Sequence, residues 1–211
     1  MSIRDSWDRI AAFTKAAFPR RTFRLARGVS ERTIAATEKW MSIYLPDDLK
    51  ESYTLHNGTS KAPLARDGEL LAWSALERTW LDRCQRQAEN GWGLGEGFST
   101  DYIGRHTPRD EPTGEPIKPV FWNPLRIDVT ADGGGNGIMI DLDPAKGGTR
   151  GQVISHSHEV GPQWVLAPSW AAYLEQLAND CDAGHWVYGM ARGDGYDWTW
   201  VGPKAKGPKR R

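Results

Sequence analysis

The stretch VFWNPLRIDVTADGGGNGIMIDLDP, residues 120–144, decides the fold. Ile138, Ile140 and Leu142 alternate with Met139, Asp141 and Asp143, the period-two pattern of a strand with one buried face. The run Asp132-Gly133-Gly134-Gly135-Asn136-Gly137 supplies residues that accept positive φ, so the chain can reverse there. Asp143-Pro144 ends the strand, because proline cannot donate to a ladder. GGTRGQVISHSHE (147–159) and WVLAPSWAAYLEQLAND (164–180) follow, reading as two further strands and a helix. Ser169 is placed to cap that helix, whose apolar side is Ala171, Leu174, Leu177, Ala178 and Cys181. The order is strand, glycine turn, three strands, helix.

Working outward, Ile3, Trp7, Ile10, Thr14, Ala17 and Phe18 recur at helical spacing and predict an amphipathic helix over 3–18, stopped by Pro19. Ser30 predicts the start of a second helix carrying Ile34, Ala35, Glu38 and Met41. A third runs from Asp47 to about His56, with Asp47 and Asp48 at its positive end. Ser74-Ala75-Leu76-Glu77 reads as a capping box, opening a helix that ends at Asn90-Gly91. Residues 91–119 are rich in Gly, Pro and charge and read as a long surface loop. Trp186, Tyr188 and Met190, then Tyr196, Trp198 and Trp200, alternate around Gly193-Asp194-Gly195 and predict a β-hairpin with one aromatic face. Residues 202–211 read as a disordered basic tail. The expectation is α+β: one domain over 1–201, a mostly antiparallel central sheet, helices packed on one face and a C-terminal hairpin.

This ordered set resembles the SUKH superfamily. The carrying pieces are Tyr44-Leu45-Pro46-Asp47-Asp48-Leu49, His56-Asn57-Gly58, Asn123-Pro124-Leu125, the glycine turn, Asp141-Leu142-Asp143-Pro144, Gly151-Gln152-Val153-Ile154 and Ser169-Trp170, spread over about residues 5–180. Each piece is ordinary turn or cap chemistry; their order and spacing make the resemblance. It implies a binding role without catalysis: a toxin-neutralising immunity protein or, alternatively, a regulatory and scaffolding module of the fungal cell-wall-regulator type.

Composition constrains the partner. The 27 Lys/Arg and 27 Asp/Glu cancel, but unevenly. Residues 1–32 and the last ten residues are each +5, leaving −10 on residues 33–201. An acidic body repels phosphates, which argues against nucleic acid, and attracts a basic protein such as a nuclease toxin. Asp128, Asp132, Asp141, Asp143 and Glu159 are the candidate partner-binding acids, with Trp122 and Tyr102 as candidate anchors. The two cysteines, Cys84 and Cys181, fall on apolar helix positions and read as reduced core residues. With no apolar run of membrane length and no leader pattern at the N-terminus, the expected place is the cytoplasm.

The same strands carry the residue types that catalysis or metal binding would need. His156 and His158 share one strand face and Asp141 and Asp143 another, so a register bringing them together would offer zinc or manganese ligands. Ser155, His156 and Asp141 make a triad only on paper, without a nucleophile elbow. Glycines 133–137 lack the Lys-Ser/Thr ending of a phosphate loop and join strand to strand. No metal or cofactor is expected.

Overall fold

The structure is a computed structural model that describes residues 1–17, 25–59, 68–90, 115–159, 161–190 and 196–200. Of Ala17, Asn90, 187–190 and 196–200 it describes the backbone alone. Helix α1 (Ile3–Ala17) buries Ile3, Trp7 and Ile10, the stripe its helical spacing predicts. The Trp7 indole donates to Ser52 Oγ at 2.9 Å on α3 (Asp47–Leu55), so a fully buried ring keeps its one polar atom paired. Helix α2 (Glu31–Met41) opens at Ser30, whose hydroxyl accepts from the Thr33 N–H. Helix α5 (Trp170–Asp182) opens at Ser169, whose hydroxyl accepts from Ala172 N–H at 3.2 Å. Asp48 takes the neighbouring Ala171 N–H at 2.9 Å. An acid at the start of α3 thus also caps α5 and ties the two helices together.

Strands β2 (Arg126–Asp128), β4 (Gly137–Asp141), β5 (Gln152–Ser157) and β6 (Gly161–Ala167) form an antiparallel sheet in the order β2-β4-β5-β6. Two residue pairs, β1 (Glu69–Leu70) and β3 (Thr130–Ala131), form a second small ladder. The turn between β3 and β4 is built by Asp132, which accepts from Gly134 N–H at 2.7 Å and Asn136 N–H at 3.0 Å. Gly133 and Gly135 there take φ of 82° and 94°, the region that excludes most side chains. The C-terminal hairpin is present as β7 (Trp186–Met190) and β8 (Tyr196–Trp200), with Trp186 opposite Trp200 and Tyr188 opposite Trp198. Its turn, the stretch 91–114 and the basic tail lie outside the described residues. The architecture is α+β with antiparallel sheets, as expected.

Alternation along the strands separates two faces. Ile127, Ile140 and Val153 point inward and join Trp7, Leu49, Trp170 and Leu174 in the main core. Each such buried aliphatic side chain contributes about 1.5–3 kcal/mol. The opposite, outer face carries a smaller cluster of Phe121, Trp122, Met139 and Ile154. Helix α4 (Trp73–Asn90) serves both. Trp73 and Leu76 belong to the main core, while Trp80 and Cys84 pack against the outer cluster. A second, smaller packed layer therefore lies beyond the helical face that the sequence pattern anticipates.

Two local expectations are corrected. The helix at 73–90 begins before Ser74, so Ser74 caps nothing. Asn57 Oδ1 instead accepts from Trp73 N–H at 2.6 Å, and the Glu77 carboxylate takes the Thr37 hydroxyl. The strand read before the glycine turn, in the stretch opening at Val120, begins only at Arg126. Residues 115–123 cross the outer face as a strap. Cys84 and Cys181 are free thiols, and burial, with Asp182 and Asp180 adding to it, pushes the Cys181 thiol up to about 12. Among the described residues no helix is long and apolar enough to cross a membrane.

Candidate functional site on the outer face of the sheet

Register sets the outer face in rows. Arg126 faces Asp141, which faces Gln152; Asp128 faces Met139, which faces Ile154; Gly137 faces His156. The first row is polar and shut from solvent, with the side chains of Arg126 and Asp141 both 0% exposed. Arg126 donates to the carbonyls of Val120 at 2.6 Å and Lys118 at 2.7 Å, and its Nε lies 3.8 Å from Asp141 Oδ1. Gln152 donates to Asp141 Oδ2 and to the Pro116 carbonyl, each at 3.1 Å. This row sews the strap onto the sheet. Lys118 pairs with Asp143, and Asn123 donates to the same carboxylate at 3.3 Å, closing the strap's end.

Beyond the strap lies a cleft of about 380 Å³ between α4 and the Phe121–Trp122 pair. Thr79, Arg83 and Arg86 form its helical wall, and His156, His158 and Gly135 its far side. Arg83 donates to Asp128 Oδ1 at 2.8 Å, and Arg86 to Asp82 at 2.8 Å. Burial pushes the Asp128 carboxyl upward, and Arg83 pulls it back. His156 is 4% exposed, and its ring meets Phe121 edge-on at 5.4 Å. Burial, reinforced by Arg83 and Arg126, pushes its pKa down to about 3, so the ring is neutral. Among the described residues neither His156 nitrogen has a well-formed hydrogen bond; the Gly135 backbone approaches without reaching that geometry. The Trp122 indole N–H is likewise unpaired.

The seven candidate residues fall into four places. Asp132 and Glu159 are exposed near the glycine turn, bridged through Asn136 and His158, whose backbone N–H donates to Asn136 Oδ1 at 3.1 Å. Asp143 is half-buried on Lys118. Asp128 and Asp141 are interior, at 6% and 0% exposure, because they point to the outer face, which the strap and α4 cover, and Trp122, on the strap, is 3% exposed in the cluster packed on that face. Alternation alone cannot show that cover, which is why the first two read as surface acids. Tyr102 lies outside the described residues. The metal arrangement is not formed: Asp141 and His156 sit at opposite ends of the paired strands, four residues apart along β4 and so separated by about 13 Å. The same separation removes the Ser155–His156–Asp141 triad. Among the described residues no group of three or more His, Cys, Asp and Glu could hold a metal ion.

Sequence reasoning passed over Arg83, Arg86 and Phe121. A usable signal was present: Thr79, Arg83 and Arg86 share one helix face by their spacing. Facing them is the Phe121-Trp122 doublet just before the Asn-Pro turn.

A two-faced antiparallel sheet, with helices packed on its inner side and a strap and α4 over its cleft-bearing outer side, defines an α+β protein of the SUKH kind. The chain belongs to the SMI1 / KNR4 family (SUKH-1), whose family model matches residues 28–176. It is 24% identical over 209 residues to the glucan synthesis regulatory protein of Neurospora crassa, covering 87% of this chain and 39% of that protein. It is 23% identical over 205 residues to the cell wall assembly regulator SMI1 of Saccharomyces cerevisiae, covering 86% of this chain and 41% of that protein. A cell wall biosynthesis/cell cycle regulator of Schizosaccharomyces pombe is 24% identical over 192 residues, 88% of this chain and 37% of its own. The chain spans about two fifths of the length of these relatives.

Proposed function

We propose that this chain is a protein-binding regulatory module, using the outer face of its sheet to hold a partner. The observation that carries the reading is the cleft beside the strap, where the rings of Phe121 and Trp122 face a helical wall carrying Arg83 and Arg86. Such a mixture of aromatic surface and a few placed polar groups suits recognition of a ligand or side chain. The relatives are named as regulators of cell wall synthesis, which supports the regulatory alternative over toxin neutralisation. An enzymatic role draws no support from those names.

The exposed acids Asp132 and Glu159, at the same end of the sheet as His158, would form a charged rim that steers a basic partner surface. The test is affinity purification of the tagged chain from cells that express it naturally. The reading expects a stoichiometric protein partner whose recovery falls in the double variant Asp132→Lys/Glu159→Lys. Recovery of a toxin encoded beside this chain would restore the immunity reading. The absence of any partner above a tag-only control would contradict both.

A further inference from the structure

We propose that an aromatic shelf built on Trp40 and Trp80 docks an extended, proline-rich segment of a partner protein, one flanked by acidic residues. The shelf lies across α4 from the cleft, so the inference goes beyond the cleft reading and does not depend on it.

The shelf forms where α2 meets α4. The Thr37 hydroxyl donates to Glu77 there, and the Trp40 ring meets Trp80 edge-on at 5.5 Å. The Trp80 indole N–H donates to the Pro124 carbonyl at 2.8 Å, which fixes that ring and brings Leu125 beside it. Leu81 follows Glu77 by one turn, on the α4 face that meets α2. It stands about 200° around the helix from Thr79 on the cleft wall. Glu38 Oε1 accepts from the Leu45 N–H at 2.8 Å, folding Tyr44 back toward the end of α2. Trp40 is 52% and Tyr44 80% exposed, and Leu81 and Leu125 also face solvent. Large apolar side chains gathered in this way mark a contact surface, whereas single scattered ones do not.

Charge and shape select the occupant. The nearby acids are engaged: Glu38 by Lys50, Glu77 by Thr37 and Asp82 by Arg86. Lys39, next to Trp40, and Arg78, one turn before Leu81, are exposed and form no ion pair among the described residues. Arg150 donates to the Tyr44 carbonyl at 2.6 Å and adds a third positive charge. A cationic ligand, otherwise suited to tryptophan faces, would meet those charges and be repelled. An amphipathic helix needs a groove for its apolar stripe, and here the rings stand out from the surface. A polyproline segment suits such a shelf. Its rings lie flat on exposed aromatic faces, and its backbone carbonyls have no internal donors. The Trp40 indole N–H, without an acceptor among the described residues, can supply one. A chain already extended also loses little entropy on docking. Acidic residues beside the prolines would pair with Lys39 and Arg78.

The experiment titrates the full chain into fluorescein-labelled peptides and reads their anisotropy. The peptides are Glu-Glu-Pro-Pro-Leu-Pro-Pro-Glu, the same with alanine for every proline, and the same with lysine for every glutamate. The expected result is saturable binding of the first, with each of the others at least about fivefold weaker, and an affinity that falls as salt rises. Trp40→Ala should weaken the first peptide at least about tenfold while its thermal melt stays cooperative. Lys39→Glu/Arg78→Glu should weaken it about fivefold, and Lys15→Glu, on α1, should leave it unchanged. If Trp40→Ala does not fold, the peptide comparison and the charge variants still decide. No binding of the first peptide, or equal binding of the alanine or the lysine peptide, overturns the inference. An equal loss in Lys15→Glu makes the attraction general and overturns it too. Binding that emerges only in Pro108→Ala/Pro112→Ala means the chain's own proline-rich segment fills the shelf, which also overturns it. So does a dimer in sedimentation that Trp40→Ala dissolves, since a second copy would then cover the rings.

Discussion

Replacing Arg126 with methionine tests how the strap is held. The guanidinium is fully buried and donates to the carbonyls of Val120 and Lys118 while standing 3.8 Å from Asp141. Methionine keeps an unbranched apolar stem but leaves a buried Asp141 carboxylate facing no cation and two carbonyls without donors. Breaking a buried ion pair from one side costs about 3–5 kcal/mol. The two lost carbonyl bonds, each ordinarily about 1 kcal/mol, overlap with that figure and do not add to it. Arg126→Met should therefore lower unfolding free energy by about 3–5 kcal/mol in urea melts at pH 7. The double variant Arg126→Met/Asp141→Leu should recover much of the loss, because an apolar pair of similar volume replaces the ions. Hydrogen exchange should localise the change: amides of 115–123 lose protection in Arg126→Met while α1 and α5 change only with global stability. A loss below about 1 kcal/mol, or a double variant whose cost is the sum of its singles, would refute the coupling.

Three further outcomes follow from the same geometry. His156 is depressed to about 3 from 6.5, so its unfolded state binds the proton more readily; the stability it contributes is full above 6.5 and falls as pH drops toward 3, by about 1.4 kcal/mol per pH unit. His156→Phe should lack that slope between pH 6.5 and 5, read by urea melts at each pH. Asp48→Ala and Ser169→Ala each remove one acceptor from the start of α5 and should each cost about 1 kcal/mol in thermal or urea melts. Glu159→Lys should change stability by less than about 0.5 kcal/mol. Asp132→Lys should cost about 1 kcal/mol or more, since that carboxylate accepts three hydrogen bonds within the glycine turn.

The elements with their own local grammar were legible in the sequence. Ser30 and Ser169 are caps because a small hydroxyl sits one residue before an apolar period begins, and both hydroxyls accept as the pattern requires. The glycine turn and strands β4 and β5 follow from alternation and positive-φ residues. What failed depends on contacts remote in sequence. Ser74 has the form of a cap, but Asn57, sixteen residues earlier, reaches Trp73 first. Asp128 and Asp141 look like surface acids because alternation shows which face a residue takes, and not whether a strap or helix covers that face. Arg126 is the missing clue: an arginine between Leu125 and Ile127, on a strand buried at all three positions, needs an interior acid and interior carbonyls. The cleft itself joins α4 to residues some forty positions later, a pairing that no local pattern carries.

The most direct test of the central claim is photo-crosslinking in cells that express the chain naturally. A photoreactive residue is placed at Thr79, on the cleft wall, or at Gln176, exposed on α5 away from the outer face. The account predicts one discrete protein crosslinked from position 79 and none from position 176. A discrete crosslink from 176 with nothing from 79 would place partner binding on the helical side and contradict it.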